Sequence, residues 1–88
     1  MASNPAWTVY ILRTRSGRLY TGITVDLERR FAEHAGTARG AKFFRTSAPE
    51  RVVYQEPQPG RSEASRRECE IKRMSRAAKL ELIATNGT

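Results

Sequence analysis

The chain has one cysteine, Cys69. That excludes an internal disulfide and, by itself, a cysteine-built metal site, and it suits a reducing cytosol. There is also only one histidine, His34, so no histidine cluster can hold a metal. No apolar run approaches the ~20 residues that span a bilayer. The first five residues lack the basic-then-apolar order of a signal peptide. Together these absences predict a cytoplasmic protein with no membrane association. No internal repeat is present, and nothing between the termini is of low complexity.

Acidic residues are also scarce. Asp and Glu number 9 against 16 Lys and Arg, a net charge of +7 on 88 residues. This length predicts one domain, residues 1–88 with a core over about 7–84, and one hydrophobic core. A basic excess on so small a body favours polyanions, of which nucleic acid is the commonest. A plain solubility surface is the other reading of the same charge, and composition does not separate the two.

Residues 7–12 are aromatic and β-branched with both faces apolar, which predicts a central strand. Residues 18–23 predict a second strand, joined to the first by the turn signal Thr14-Arg15-Ser16-Gly17. A three-residue loop with Gly17 left-handed would pair Thr14 with Arg18. It would set Tyr10 opposite Gly22 and diagonal to Tyr20, on one face. Residues 26–35 have helical spacing (Leu27, Phe31, Ala35), with Asp26 as N-cap and Gly36 as stop. A third strand is expected over 51–56 and a loop over 57–60. A helix from Ser62 to about residue 74 follows. A last helix starts at Ser75 or Arg76, with Leu80, Ile83 and Ala84 on one stripe and Gly87 at its end. The order β-β-α-β-α-α predicts an α+β fold: a small, three-stranded, mainly antiparallel sheet flanked by helices.

At 100° per residue, Arg30 and His34 border the inward stripe of the first long helix, whereas Arg29 points away. Within the Ala64, Ile71 and Ser75 stripe of the next helix lies Glu68. A carboxylate there is costly unless compensated. Two readings stand: an ion pair with Lys72 or Arg30, or a metal ligand. The pattern alone favours the ion pair. Tyr54 reads as a packing residue with its hydroxyl at the rim, and Cys69 as a small packing residue. A lone helical histidine is more often structural than catalytic.

These residues carry a resemblance. Val9-Tyr10-Ile11 and Tyr20-Thr21-Gly22, separated by a strand and a tight hairpin, resemble the two tripeptides of the GIY-YIG nuclease family. Val9 stands for its Gly, and Thr21 for its second Ile. Asp26-Leu27-Glu28-Arg29-Arg30-Phe31 is similar to its arginine-bearing helix, and His34 follows one turn later. Ala64 through Glu68 to Ile71-Lys72 resembles the helix of its metal-binding glutamate. The small stand-alone bacterial proteins of the YhbQ type, an uncharacterised group, also share Gly40-Ala41-Lys42-Phe43 and Ser75-Arg76-Ala77.

The resemblance implies the family's fold and a metal-dependent endonuclease, a phosphodiester hydrolase acting on nucleic acid, DNA rather than RNA, with low sequence specificity. It implies catalytic roles for Tyr10, Tyr20, Arg30, His34 and Glu68. Glu68 would hold one Mg²⁺ or Mn²⁺, weakly without substrate. Arg13, Arg15, Arg18, Arg39, Lys42 and Arg45 would form a nucleic-acid-binding basic rim. The protein would act as a monomer or weak homodimer. Two other classes fit the residues: a non-catalytic nucleic-acid-binding module, and a protein-interaction domain using Phe43-Phe44.

Overall fold

A computed structural model describes residues 6–36 and 48–86, apart from the side chains of Ala35, Gly36 and Asn86. Arg39, Lys42, Arg45, Phe43-Phe44 and Gly87 lie outside the described residues. The elements run β1 (Trp7–Thr14), β2 (Leu19–Thr24), α1 (Leu27–Gly36), β3 (Pro49–Gln58), α2 (Arg61–Lys72) and α3 (Arg76–Asn86). The strands form one antiparallel sheet in the order β2-β1-β3. This is the expected α+β architecture with β1 central.

The apolar character of β1 follows from its position, since it is covered on both faces. Val9 and Ile11 face a cluster with Tyr54, with Ala64 and Ile71 of α2, and with Leu82 and Ile83 of α3. Tyr10 and Leu12 face the opposite layer, with Tyr20, Val52, and Leu27 and Phe31 of α1. Val9, Ile11, Leu12 and Ile71 are fully buried. Burial at such a position contributes roughly 1.5–3 kcal/mol per side chain. Among the described residues no helix is long and apolar enough to cross a membrane.

The hairpin takes the three-residue form. The Thr14 N–H donates to the Arg18 carbonyl at 2.9 Å and the Gly17 N–H to the Thr14 carbonyl at 2.9 Å. Gly17 has φ 90°, a left-handed conformation that L side chains rarely adopt. Buried Thr14 locks the loop, its Oγ1 accepting the Arg18 N–H at 3.0 Å. Tyr10 therefore pairs with Gly22, and Leu12 with Tyr20.

Several boundaries differ from the sequence expectation. β3 runs from Pro49 to Gln58 rather than over 51–56 and takes in two prolines, Pro49 and Pro57; because it is an edge strand, the missing N–H groups cost no ladder bonds. A register shift between Ile11 and Leu12 places Val53 as an extra residue, so Val53 and Tyr54 both join the α2–α3 layer. The cap of α2 lies two residues before Ser62, the residue expected to cap it. It is Gly60, without a side-chain cap bond, and Ser62 lies inside the helix. Asp26 and Ser75 do cap: the Asp26 carboxylate accepts the Arg29 N–H, and the Ser75 hydroxyl the Ala78 N–H, each at 3.1 Å.

On α3 the packed residues are Leu82 and Ile83, while Leu80 and Ala84 are exposed. Residues 77, 78, 80, 82, 83 and 84 are all apolar and surround that helix, so the pattern held no unique stripe. Cys69 is exposed rather than packed, between Glu68 and Glu70.

Candidate active site

Tyr10, 1 % exposed, projects from the central strand over Gly22. The absence of a side chain at Gly22 makes room for the phenol. A Cβ there would lie 2.5 Å from Tyr10 Oη and 2.7 Å from Cζ. α1 closes the space from the other side. His34, buried in the last turn, places Nε2 3.1 Å from Tyr10 Oη. The Tyr20 ring meets His34 edge-on at 5.2 Å and Tyr10 at 6.3 Å, so the three rings form one cluster. The imidazole thus touches both tyrosines, packing against Tyr20 and bonding to Tyr10, a contact the sequence did not single out.

Arg30 lies one turn before His34. It is half-buried, whereas Arg29 is 72 % exposed, as the helical angles required. Its Nη1 donates to Glu33 Oε1 at 2.9 Å. Glu33 also pairs with Arg29 at 3.5 Å and is held below its usual pKa by the Arg30 guanidinium. The sequence reading missed Glu33 as the group orienting Arg30, although its spacing from both arginines signals it.

The electrostatics of the cluster are set by burial. The Tyr10 phenol is pushed up to about 12 by burial and then by Tyr20, with Glu68 adding to the rise; a hydrogen bond and charge from Arg30 offset part of it. His34 is pushed down to about 4 by burial and then by Arg30, and Glu33 counters weakly. At neutral pH Tyr10 is therefore a phenol and His34 a neutral imidazole, able to accept at Nε2 in one tautomer.

Glu68 lies on α2, whose buried Ala64 and Ile71 fix that face toward the sheet. Its side chain is 21 % exposed, and Oε2 accepts from Lys72 Nζ at 3.2 Å. The ion pair favoured by the sequence pattern is thus formed, with Lys72 rather than Arg30. Among the described residues no group of three or more His, Cys, Asp or Glu could hold a metal ion. A hard cation can nevertheless be held by one carboxylate with water and a substrate phosphate. The donor set fits that arrangement and would bind weakly without substrate.

Of the basic rim, Arg13 is exposed and pairs at 3.9 Å with Glu50. Arg15 is exposed in the hairpin, and Arg18, just before β2, lies beside Arg76 and Lys79 of α3. A hollow of about 630 Å³ between α1 and β3 is lined by Leu27, Phe31, Val52 and neighbours, and by none of the five candidate residues. The ring cluster lies outside it, so volume is a poor guide to the chemistry here.

The family model of the GIY-YIG catalytic domain matches residues 6–81. A UPF0213 protein of Desulfotalea psychrophila is 47% identical over 79 residues, 90% of this chain and 72% of its own. One of Cupriavidus pinatubonensis is 43% identical over 84 residues, 96% of this chain and 92% of its own. The solution NMR structure of a UPF0213 protein from Bacillus halodurans superposes with TM-score 0.61 at 40% identity, covering 93% of this chain and 86% of that one.

Proposed function

The chain belongs to the GIY-YIG catalytic-domain family, and we propose that it is a divalent-metal-dependent endonuclease acting on nucleic acid with little sequence preference. The observation that carries this reading is the convergence on one buried hydroxyl. Tyr10 Oη is bonded to His34, its ring packs against Tyr20, and its acidity responds to Arg30 and, more weakly, to Glu68. A structural tyrosine needs one hydrogen-bond partner. This one collects an acceptor, a cation and a carboxylate charge.

In this mechanism Arg30 binds a non-bridging oxygen of the scissile phosphate, whose charge grows in the transition state. Glu33 holds the guanidinium in place. Tyr10 orients the attacking water and takes its proton while passing its own to His34 Nε2. A phenol pushed up to about 12 does not stand ready as a phenolate, so a relay to the neutral imidazole spares Tyr10 from becoming a free anion. Phosphate bound at Arg30 offsets the charge that helps depress His34, which makes the imidazole more basic when substrate is present. Tyr20 packs against both rings and fixes their orientation. Glu68 would hold one Mg²⁺ or Mn²⁺ in place of Lys72, and the ion would supply charge neutralisation on the phosphate and leaving oxygen. DNA is favoured over RNA as substrate. The basic surface supplies salt-dependent affinity without reading bases.

The test is cleavage of labelled single-stranded, duplex and branched DNA and RNA at low salt in Mg²⁺, Mn²⁺ or EDTA. Glu68→Ala serves as the control. Cutting that needs metal and disappears in Glu68→Ala supports the nuclease. Binding without cutting by the wild type would replace it with a nucleic-acid-binding module.

A further inference from the structure

We propose that Arg18, Arg76 and Lys79 build a second phosphate subsite at the hairpin end of the sheet, holding the nucleic-acid backbone away from the reacting phosphate. The proposal rests on the nuclease reading and adds a path for the strand. The three side chains and Leu19 line a hollow of about 250 Å³ with no carboxylate in its wall. A water occupies ~30 Å³ of liquid, so a hydrated phosphate group fits. Arg18 stands just before β2; Arg76 and Lys79 stand three apart on α3, on one face of the helix.

Several features distinguish this cluster from a solvated basic surface. The Arg76 Nη2 donates to the Gly17 carbonyl at 2.9 Å, tying the first turn of α3 to the hairpin. That bond uses one of five guanidinium donors and fixes the orientation of the rest. Among the described residues Arg76 and Lys79 make no ion pair, whereas Arg13, Arg29, Arg30, Arg67 and Lys72 each do. Like charges converging on one hollow repel, and an anion between them relieves that repulsion. The hollow also opens at the start of an 11-residue helix, the end that carries partial positive charge.

The spacing suits a strand that also reaches the ring cluster. Arg18 precedes Tyr20 by two residues, ~7 Å along an extended chain, and a nucleic-acid strand rises ~3.4 Å per nucleotide.

The experiment is fluorescence anisotropy in EDTA, which separates binding from cleavage. The probes are a labelled single-stranded trinucleotide and a dodecanucleotide over a series of salt concentrations. Lys79→Ala and Arg18→Ala/Lys79→Ala leave the Arg76 tie intact, and thermal melting checks their fold. Arg66→Ala, which removes one charge from an exposed position on α2 as Lys79→Ala does from α3, is the control. For a single strand each lost phosphate contact lowers the slope of log K against log salt by about 0.7. The double variant should therefore lose about 1.4 on the dodecanucleotide and little on the trinucleotide, and Arg66→Ala should lose nothing.

An unchanged slope in the double variant, or an equal loss in Arg66→Ala, overturns the subsite. If the wild type still cuts in Mg²⁺, the nuclease reading survives that result. Slope loss in a protein that does not cut keeps the subsite and removes the nuclease. Absence of salt-dependent binding by the wild type overturns both.

Discussion

Replacing Gly22 by Ala tests whether the Tyr10 phenol occupies the space that the glycine leaves. Gly22 does not have positive φ, so the backbone accepts alanine without strain. Taken alone, the lower chain entropy of alanine would stabilise the fold by about 0.4–1 kcal/mol. Against that, the new Cβ would stand 2.5 Å from Tyr10 Oη, 2.7 Å from Cζ and 3.2 Å from Cε2. The ring cannot swing freely, because Tyr20 and His34 pack against it and it is 1 % exposed. Overpacking of this kind costs about 1–3 kcal/mol, so the clash wins and Gly22→Ala should be destabilised. For a domain of this size each kcal/mol of net loss lowers the melting temperature by about 4–8 °C. Chemical denaturation and thermal melting measure the loss. The imidazole resonances of His34 should shift as its bond to Tyr10 lengthens. In a Tyr10→Leu background the obstructing atoms are gone, and the same substitution should cost nothing. A Gly22→Ala protein as stable as the wild type, or one equally affected in both backgrounds, would refute the packing argument.

Further consequences follow from the charges around the cluster. Since His34 is depressed from 6.5 to about 4, the unfolded chain binds a proton that the native state refuses. The stabilisation is fully present above about pH 6.5 and is lost as pH falls toward 4. At ~1.4 kcal/mol per unit this amounts to at most about 3 kcal/mol; denaturation of wild type and His34→Gln across that window should show a shallower dependence in the variant. Arg30→Ala should raise the His34 pKa, read by NMR titration, and slow cleavage by about 10²–10³-fold; a variant cutting at the wild-type rate would remove Arg30 from the site. Lys72→Ala should free Glu68 and tighten Mn²⁺ binding measured by electron paramagnetic resonance, while altering stability by less than about 1 kcal/mol, as for an exposed ion pair. Unchanged or weaker Mn²⁺ binding would count against Glu68 as the ligand.

The sheet was legible because its signals were local. A glycine in the turn, apolar residues on both sides of β1 and a three-residue loop together determine the register that pairs Tyr10 with Gly22. Helical angles separated Arg30 from Arg29 and Glu68 from Glu70, since a rigid 100° step needs no tertiary information. What the sequence hid depends on neighbours far along the chain. The prolines of β3 are harmless only because that strand is at an edge, and the chain does not announce which strand is an edge. The packed side of α3 is chosen by the sheet beneath it, not by its own nearly uniform apolar pattern. The inward position of His34 could be read, but its bond to Tyr10 and its depressed pKa depend on the depth at which α1 sits on the sheet. Arg76 and Lys79 looked like ordinary helix-surface cations until the hairpin brought Arg18 beside them.

The central claim is that Tyr10, Arg30, His34 and Glu68 act together on one phosphodiester. The most direct measurement is the single-turnover cleavage rate of wild type, Tyr10→Phe, Glu68→Gln and the double variant at saturating Mg²⁺. Groups that serve one transition state are not additive. The double variant should therefore be no slower than the slower single variant, and both single variants should be impaired by about 10²-fold or more. A double variant whose loss is the product of the two single losses would mean that the residues act independently. Wild-type rates in either single variant would remove that residue from the chemistry.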